Sequence, residues 1–377
     1  MIRQKLDELA DSGNYRSLRS SQIVSSKIIS IDNNTYLNLS TNDYLALSDA
    51  NVQKQFVKDL DFSAEFMLSN PSSRLMCGNS EDYTILEDKL AKLFNKEAAL
   101  VLSSGFMVNS GVLQAVTTKK KLVIADKKVH ASIIEGMKLC EAQSMRFKHN
   151  SIEHLQSLLE KYSAIASETW VVVESIYSMD GDIAPLAEIC ELKKKYGFKL
   201  YVDEAHAFGV RGAKGCGMLE ELGLSAEAEI IVATLGKSAA SCGGFLICSA
   251  LYKELLINKM RTLIFSTALA PINLKWSSFI VDIIEKSTER RAQIDKLRKV
   301  ACSVLNKQFE SHIIPIKTGC NFKTLELVEQ LKAEGYLATA IRYPTVAKGD
   351  EMVRVSLNAS MTEEELVDFF NAVLEFA

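Results

Sequence analysis

The middle of the chain reads Leu200-Tyr201-Val202-Asp203-Glu204-Ala205-His206, an apolar run that ends on two acids and a histidine. Continuous apolar runs of this kind are typical of strands that a parallel sheet buries on both faces. Parallel sheets carry their chemistry at the carboxyl ends of their strands. The acid and the histidine after the run therefore favour a functional site, while a carboxylate that only caps the next helix would give the same pattern.

Similar apolar runs lie on both sides of this segment and alternate with stretches typical of helices. These runs are Ala99–Leu102, Leu122–Ala125, Val171–Val173, Ile230–Ala233 and Phe245–Cys248. Alternating strands and helices predict an α/β fold, with a mostly parallel central sheet and helices on both of its faces. We expect an N-terminal arm of helix and hairpin over residues 1–44, a large α/β domain over 45–265 and a smaller C-terminal α+β domain over 266–377.

The composition excludes several classes of protein. The 377 residues carry 44 Lys+Arg against 47 Asp+Glu, a net charge of −3, which argues against a nucleic-acid or membrane-surface protein. No apolar run approaches the roughly 18 residues of a membrane span, and the first residues lack a secretory signal. Eight cysteines without a C-x-x-C pair favour free thiols in a reducing cytoplasm over a metal site.

A lone lysine follows another predicted strand, in Thr234-Leu235-Gly236-Lys237. A solvated lysine in a turn is the ordinary interpretation, but small residues on both sides would let a flat ligand approach the backbone. A desolvated lysine has the lowered pKa that a Schiff base requires. Together with the acid at Asp203, Lys237 forms the pair that pyridoxal phosphate needs, the lysine for the Schiff base and the acid for the ring nitrogen.

Two further strand ends carry candidate cofactor residues. Ser104-Gly105-Phe106 opens a helix whose backbone N–H groups could cradle a phosphate. His130 follows the next strand and is either a capping or core histidine, or a side chain that stacks on a cofactor ring and shuttles protons. The glycine-rich stretch 209–217 lacks the G-x-G-x-x-G order, so it does not favour a nicotinamide site.

Several motifs, in order along nearly the whole chain, resemble those of the α-oxoamine synthases, a family of fold-type I pyridoxal-phosphate enzymes. They are Asn42-Asp43-Tyr44-Leu45, Ser104-Gly105-Phe106, Glu174-Ser175-Ile176-Tyr177-Ser178-Met179-Asp180-Gly181-Asp182, Asp203-Glu204-Ala205-His206, Thr234-Leu235-Gly236-Lys237, Ser266-Thr267 and Arg342-Tyr343-Pro344-Thr345-Val346. The resemblance implies a homodimer with shared active sites. The last segment favours the family member that, in biotin biosynthesis, condenses L-alanine with a pimeloyl thioester of coenzyme A or a carrier protein.

The resemblance also implies roles for single residues. Lys237 matches the Schiff-base lysine, Asp203 the partner of the ring nitrogen and His130 the histidine stacked on the ring. The other matched cofactor positions are Gly105, Phe106 and Thr234 on the phosphate side, Ser178 and His206 near the phenolic oxygen, and Ser266 and Thr267, which would reach the phosphate of the other subunit's cofactor. The matched substrate positions are Arg16, Asn42, Arg342 and Thr345, of which Asn42 and Arg342 would hold the amino-acid carboxylate.

The chain also departs from the family pattern. Asn70-Pro71-Ser72-Ser73-Arg74 stands where a glycine-rich loop is common, and Phe265 and Ser360 stand where tyrosine and histidine are frequent. The residues after Lys237 partly resemble members that use serine and a palmitoyl thioester. Two alternatives stay open: a family member that uses serine with a palmitoyl thioester or glycine with an acetyl thioester, and a catalytically silent partner subunit, which would be expected to lack the lysine.

Overall fold

The computed structural model describes residues 1–60 and 68–376, and the chain divides into two compact units. Unit 1 comprises Met1–Gln53, Ser178–Asp182 and Glu289–Ala377, and unit 2 comprises Lys54–Tyr177 and Ile183–Thr288. These bounds differ from the three expected segments. The N-terminal arm and the C-terminal part belong to the same unit, and the large unit ends after Thr288 instead of at residue 265.

The elements have the following bounds. The strands are β1 (Gln22–Ile23), β2 (Ile28–Ile31), β3 (Asn34–Asn38), β4 (Ala98–Leu102), β5 (Lys121–Asp126), β6 (Gln143–Phe147), β7 (Glu168–Glu174), β8 (Lys199–Asp203), β9 (Ile230–Thr234), β10 (Gly244–Cys248), β11 (Ile313–Lys317), β12 (Tyr336–Leu337), β13 (Thr339–Ile341) and β14 (Met352–Ser356). The helices are α1 (Ile2–Asp11), α2 (Ala50–Asp59), α3 (Glu81–Leu93), α4 (Gly105–Val116), α5 (Ala131–Leu139), α6 (Ile152–Tyr162), α7 (Leu186–Tyr196), α8 (Met218–Glu221), α9 (Ala250–Lys259), α10 (Arg261–Ile264), α11 (Pro271–Lys286), α12 (Thr288–Val304), α13 (Asn321–Ala333) and α14 (Glu363–Phe376).

Unit 2 is built around a seven-stranded sheet in the order β4-β10-β9-β8-β7-β5-β6. Strand β10 is antiparallel to both of its neighbours, β4 and β9, and the other pairings are parallel. The expected mostly parallel sheet with helices on both faces is confirmed. Each predicted apolar run lies within a strand of this sheet, while β6 was not predicted because only one of its five residues is buried.

The last part of unit 2 explains why the expected boundary at residue 265 is displaced. Helix α11 begins at Pro271, which favours the first position of a helix, and it packs against α3. Its apolar face, with Leu274, Ile280 and Ile284 fully buried, would otherwise be exposed to water. The burial of this face keeps α11 within the large unit.

Unit 1 contains a four-stranded sheet, β1-β2-β3-β12, and a three-stranded sheet, β11-β14-β13. The expected hairpin is present, since Asp32 and Asn33 turn the chain from β2 to β3 with φ values of 52° and 65°. Helix α14 begins with a capping box: Thr362 Oγ1 accepts from the N–H of Glu365 at 3.2 Å, and the Glu365 carboxylate accepts from the N–H of Thr362 at 2.8 Å.

A membrane span requires a helix of about 20 predominantly apolar residues. Within residues 1–60 and 68–376, no helix is both long enough and apolar enough to cross a bilayer.

Candidate active site

A cavity opens within unit 2 at the carboxyl ends of β7, β8 and β9. The starts of α4 and α5 complete its walls, because both helices begin just after strands of the same sheet. Seven of the predicted site residues line it: Gly105, Phe106, His130, Asp203, His206, Thr234 and Lys237. Sheet topology thus brings together residues that lie up to 132 positions apart in the sequence (237 − 105).

Lys237 lies in the loop that joins β9 to β10. The two strands are antiparallel, and Thr234 at the end of β9 pairs with Gly244 at the start of β10. The loop therefore reverses the chain direction at the carboxyl end of β9. The N–H of Ala240 donates to the carbonyl of Lys237 at 2.8 Å. From α11, Trp276 Nε1 donates to the carbonyl of Ala240 at 3.0 Å. The backbone that carries the lysine is therefore held at both ends and in the middle.

The amine of Lys237 and the carboxylate of Asp203 both line the cavity. Lys237 Nζ lies 2.6 Å from Nε2 of His206. Asp203 is 3% exposed, and its Oδ1 accepts from the N–H of Ala205 at 2.8 Å while its Oδ2 accepts from Nδ2 of Asn109 at 2.7 Å. These donors compensate the carboxylate for the water that it loses on burial.

The wall beside His130 contains a second buried acid. Glu174 is 2% exposed, its carboxyl group accepts from the backbone N–H of His130, and its Oε1 has no hydrogen-bond partner in the described part of the chain. Burial, together with the negative charge of Asp203, raises the pKa of Glu174 well above its ordinary value. Burial lowers the pKa of His130, with Asp203 acting to raise it and Lys237 to lower it.

The start of α4 provides a place for an anion. Ser104 caps the helix by accepting from the N–H of Met107 at 3.2 Å, and the helix dipole makes this end electropositive. Gly105 has no side chain, and a Cβ there would lie 3.2 Å from the Cβ of Thr234. At Gly244 a Cβ would lie 2.4 Å from the nitrogen of Gly105, so a glycine is required there for the strand to lie against the helix start.

These features fit pyridoxal phosphate. Lys237 offers the amine for a Schiff base, Asp203 a carboxylate for the ring nitrogen, and His130 a flat ring beside the cavity. The start of α4 at Gly105 would hold the phosphate, because its N–H groups and its missing side chain leave both donors and room. Since Oε1 of the buried Glu174 has no hydrogen-bond partner among the described residues, the cavity wall offers a polar atom that a ligand can satisfy.

The remaining predicted residues lie elsewhere in the chain. In unit 2, Ser266 and Thr267 follow α10 and do not line the cavity; Thr267 pairs with Ser73, which belongs to the unusual Asn70–Arg74 segment. In unit 1, Arg16 donates to Thr345 Oγ1 at 3.0 Å, Arg342 donates to a backbone carbonyl at Gly13, and Asn42 accepts from a tyrosine hydroxyl. Ser178 also belongs to unit 1.

Sequence reasoning missed three polar residues of the cavity wall: Asn109, Ser132 and Glu174. Asn109 and Ser132 lie inside helices, about one turn after Phe106 and two residues after His130. Glu174 is the last residue of β7, at the same sheet edge as Asp203, with which it pairs in register. Its position directly after the apolar run Val171–Val173 could have identified it from the sequence as a candidate site residue.

The chain was compared with known proteins. The aminotransferase class I and II family matches residues 34–373. A protein of Neisseria gonorrhoeae named "Putative 8-amino-7-oxononanoate synthase" is 41% identical over 377 residues, with 98% of each chain covered. A serine palmitoyltransferase structure from S. paucimobilis with bound PLP-myriocin aldimine is 26% identical, with a TM-score of 0.89 over 100% of this chain and 97% of that one. The 8-amino-7-oxononanoate synthase structure from Francisella tularensis is 27% identical, with a TM-score of 0.75 over 90% and 97%.

Proposed function

Because the chain belongs to the aminotransferase class I and II family, and is a pyridoxal-phosphate-dependent enzyme of the α-oxoamine synthase type, we propose that it condenses L-alanine with a pimeloyl thioester. A bond forms between the α-carbon of alanine and the carbonyl carbon of the thioester, and the thiol leaves. The alanine carboxylate departs as carbon dioxide, and a proton returns to the α-carbon. The product is 8-amino-7-oxononanoate, and its formation is a step of biotin biosynthesis.

The proposed roles follow from the chemistry of each side chain. Pyridoxal phosphate, when bound, supplies the electron withdrawal that makes the α-proton of an amino acid removable. Nζ of Lys237 takes that proton and returns one at the end of the reaction. The Asp203 carboxylate holds a proton on the ring nitrogen, and the start of α4 at Gly105 binds the phosphate. The neutral ring of His130 covers one wall and excludes water from it.

One observation supports this proposal above the others. Lys237 and Asp203 line one cavity of a chain that matches a protein named "Putative 8-amino-7-oxononanoate synthase" along 98% of its length. A catalytically silent subunit would need neither an amine nor a buried carboxylate in the same cavity.

We extend the proposal to Ser178 and His206 near the phenolic oxygen, Phe106 and Thr234 on the phosphate side, and Arg16, Asn42, Arg342 and Thr345 in substrate binding.

A panel of substrates tests the reaction. The purified holoenzyme is incubated with alanine, serine or glycine, each with pimeloyl, palmitoyl or acetyl coenzyme A, and with pimeloyl carrier protein, and products are identified by mass. We expect 8-amino-7-oxononanoate from alanine and a pimeloyl donor, and none from the Lys237→Ala variant. A product from another pair only, or from the variant, would contradict the proposal.

A second candidate has its own support. The serine palmitoyltransferase structure has a higher TM-score, 0.89, than the 0.75 of the oxononanoate synthase structure. The alternative reaction would join serine to a palmitoyl thioester by the same chemistry. If this alternative is correct, the substrate panel should give a product from serine and palmitoyl coenzyme A. Its formation should then have a higher kcat/KM than the reaction of alanine with any donor.

A further inference from the structure

A chain of hydrogen bonds connects the two sides of the cavity and involves residues to which no role has been given so far. It begins at the hydroxyl of Tyr201, passes through the side-chain amide of Asn109 and reaches Asp203 on one branch. On the other branch it reaches Ser132 and then the ring of His130. The side chains of Tyr201, Asn109, Ser132 and Asp203 are buried, and His130 lines the cavity.

The direction of every bond in this chain follows from its two ends. The carboxylate of Asp203 only accepts, so the group of Asn109 that lies 2.7 Å from Oδ2 must be the NH₂. Its Oδ1 then faces the hydroxyl of Tyr201 at 2.5 Å, and that hydroxyl donates. Burial, reinforced by the charge of Asp203, raises the pKa of Tyr201 well above its ordinary value, so the hydroxyl keeps its proton.

The same reasoning fixes the second branch. Nδ2 of Asn109 donates its other proton to Ser132 Oγ at 2.9 Å. The hydroxyl proton of Ser132 is therefore available for Nδ1 of His130, which lies 2.7 Å away. The backbone N–H of Ser132 also donates to this nitrogen, at 3.2 Å, since His130 caps α5. With two donors directed at it, Nδ1 must be an acceptor, and the ring proton is on Nε2.

We propose that Asn109 and Ser132 are positioning residues that hold His130 as the neutral tautomer with its proton on Nε2. The inference rests on the proposed function, since it describes the ring expected to lie against the cofactor. A neutral ring stacks on a positively charged pyridine ring without charge repulsion, whereas an imidazolium would add a second cation beside Lys237. The bond from Asn109 to Asp203 couples this tautomer to the carboxylate that keeps the pyridine nitrogen protonated.

The packing of the two helices supports the arrangement. A Cβ at Gly136 of α5 would lie 2.5 Å from the backbone oxygen of Asn109, so this glycine lets α5 lie close to α4. That approach places Ser132 of α5 within hydrogen-bond distance of Asn109 of α4. The charged groups around the ring are Asp203 and Lys237, and the buried Glu174 accepts from the backbone N–H of His130.

The tautomer can be read directly by long-range ¹H–¹⁵N NMR of the holoenzyme labelled at its five histidines, with His130→Gln used for assignment. We expect His130 in the wild type to carry its proton on Nε2 across neutral pH. In Ser132→Ala one donor is lost, so the pKa of His130 should move up toward its ordinary value and the Nδ1–H tautomer should appear. Asn109→Asp removes the donor to Ser132, so the same tautomer should appear there too. Because both act through one chain, the double variant should match the more affected single one.

Ser110→Ala is the matched control, because it removes a buried hydroxyl of α4 whose one side-chain hydrogen bond within the described residues goes to the carbonyl of Phe106. It should leave the spectrum of His130 unchanged. A wild-type ring with its proton on Nδ1, or an unchanged tautomer in both Ser132→Ala and Asn109→Asp, would overturn the inference. The spectra need no turnover, so failure of the proposed reaction and failure of this inference give different results.

Discussion

At the scale of single residues, the site depends on how its buried charges are compensated. Asp203 receives hydrogen bonds from Ala205 and Asn109, whereas Glu174 keeps one oxygen without a partner in the described part of the chain. Two carboxyl groups paired in register on neighbouring strands cannot both be charged without repulsion. The raised pKa of Glu174 leaves Asp203 as the acid that is able to hold a proton on a ligand.

The proposed role of Lys237 predicts that its removal abolishes both the visible absorbance of the bound cofactor and the enzymatic activity. In Lys237→Ala we expect no visible absorbance from covalently held cofactor after dialysis, because among the described residues Lys237 is the one lysine that lines the cavity. We also expect no detectable turnover. The exposed Lys119→Ala is the control and should match the wild type in both measurements. A coloured, active Lys237→Ala protein would refute the assignment.

Asp203→Asn tests the carboxylate while keeping the shape of the side chain. A neutral amide no longer favours a protonated ring nitrogen, so we expect the rate to fall by about 100-fold or more, within the range of a lost acid–base group. Cofactor affinity, measured by fluorescence titration, should fall as well. Proton–deuterium exchange at the α-carbon of alanine at the wild-type rate would contradict this role.

Glu204 predicts a pH dependence of stability. Burial raises its pKa to about 7 in the folded protein, against an ordinary 4.5, and hydrogen bonds from Ser175, Met218 and Leu219 only partly oppose this. The folded state thus binds more protons than the unfolded one between these pH values. Its contribution to stability is complete below about pH 4.5 and is lost as the pH rises through 7, by about 1.4 kcal/mol per pH unit.

Thermal unfolding of the holoenzyme at pH 5, 6, 7 and 8 measures this effect. The unfolding temperature of Glu204→Gln should change less with pH than that of the wild type, because the amide does not titrate. Glu160→Gln, at an exposed position, is the control and should keep the wild-type slope. Equal slopes for the wild type and Glu204→Gln would show that Glu204 is ionised throughout.

At the scale of elements, the cavity exists because two glycines let β10 and α4 lie against each other. Gly244→Ala would place a Cβ 2.4 Å from the nitrogen of Gly105. We expect a loss of about 1–3 kcal/mol of stability from overpacking, and at least about tenfold weaker cofactor binding, since the helix start that would hold the phosphate must move.

Gly197→Ala separates backbone strain from this effect. Gly197 has a φ of 66° at the end of α7, and no atom of residues 1–60 or 68–376 lies within 4 Å of an added Cβ. Its replacement should cost about 1–2 kcal/mol through the left-handed backbone alone, with unchanged cofactor affinity. If both variants weakened the cofactor equally, the contact between β10 and α4 would have no specific part in binding.

The elements also show what could be read from the sequence. The run Ile230–Ala233 predicts a strand because burial on both faces of the sheet leaves a continuous apolar run, and β9 contains it. Asp203, His130 and Lys237 follow runs of this kind. Edge strand β6 gave no such run. Asn109 and Ser132 could not be assigned from the sequence, because their contact depends on how closely α4 and α5 pack. Gly136 allows this close packing, and a local sequence pattern does not show which helices pack together.

At the scale of the whole molecule, we propose a homodimer in which Ser266 and Thr267 reach the partner's cofactor. Sedimentation should give twice the 41.8 kDa chain mass.

Shared sites predict complementation between two inactive variants, Lys237→Ala and Thr267→Lys. After the mixed proteins are dissociated and reassociated, half of the dimers would contain one chain of each variant, and each of these dimers would hold one intact site. About a quarter of the wild-type activity should therefore return. No recovery, with mixed dimers demonstrated by mass, would argue against shared sites.

The position of β10 also affects how the protein is made. Among the described residues β4 pairs with β10 alone, and the paired residues are 142 (Leu102 and Gly244) to 150 (Ala98 and Cys248) positions apart in the chain. On a translating ribosome the Ala98–Leu102 strand therefore emerges long before its partner has been synthesised. An apolar strand without a neighbour is a template for association between nascent chains. Slow decoding before residue 248 would prolong that vulnerable interval, and holdase chaperones that bind short apolar segments would have their greatest effect on yield there.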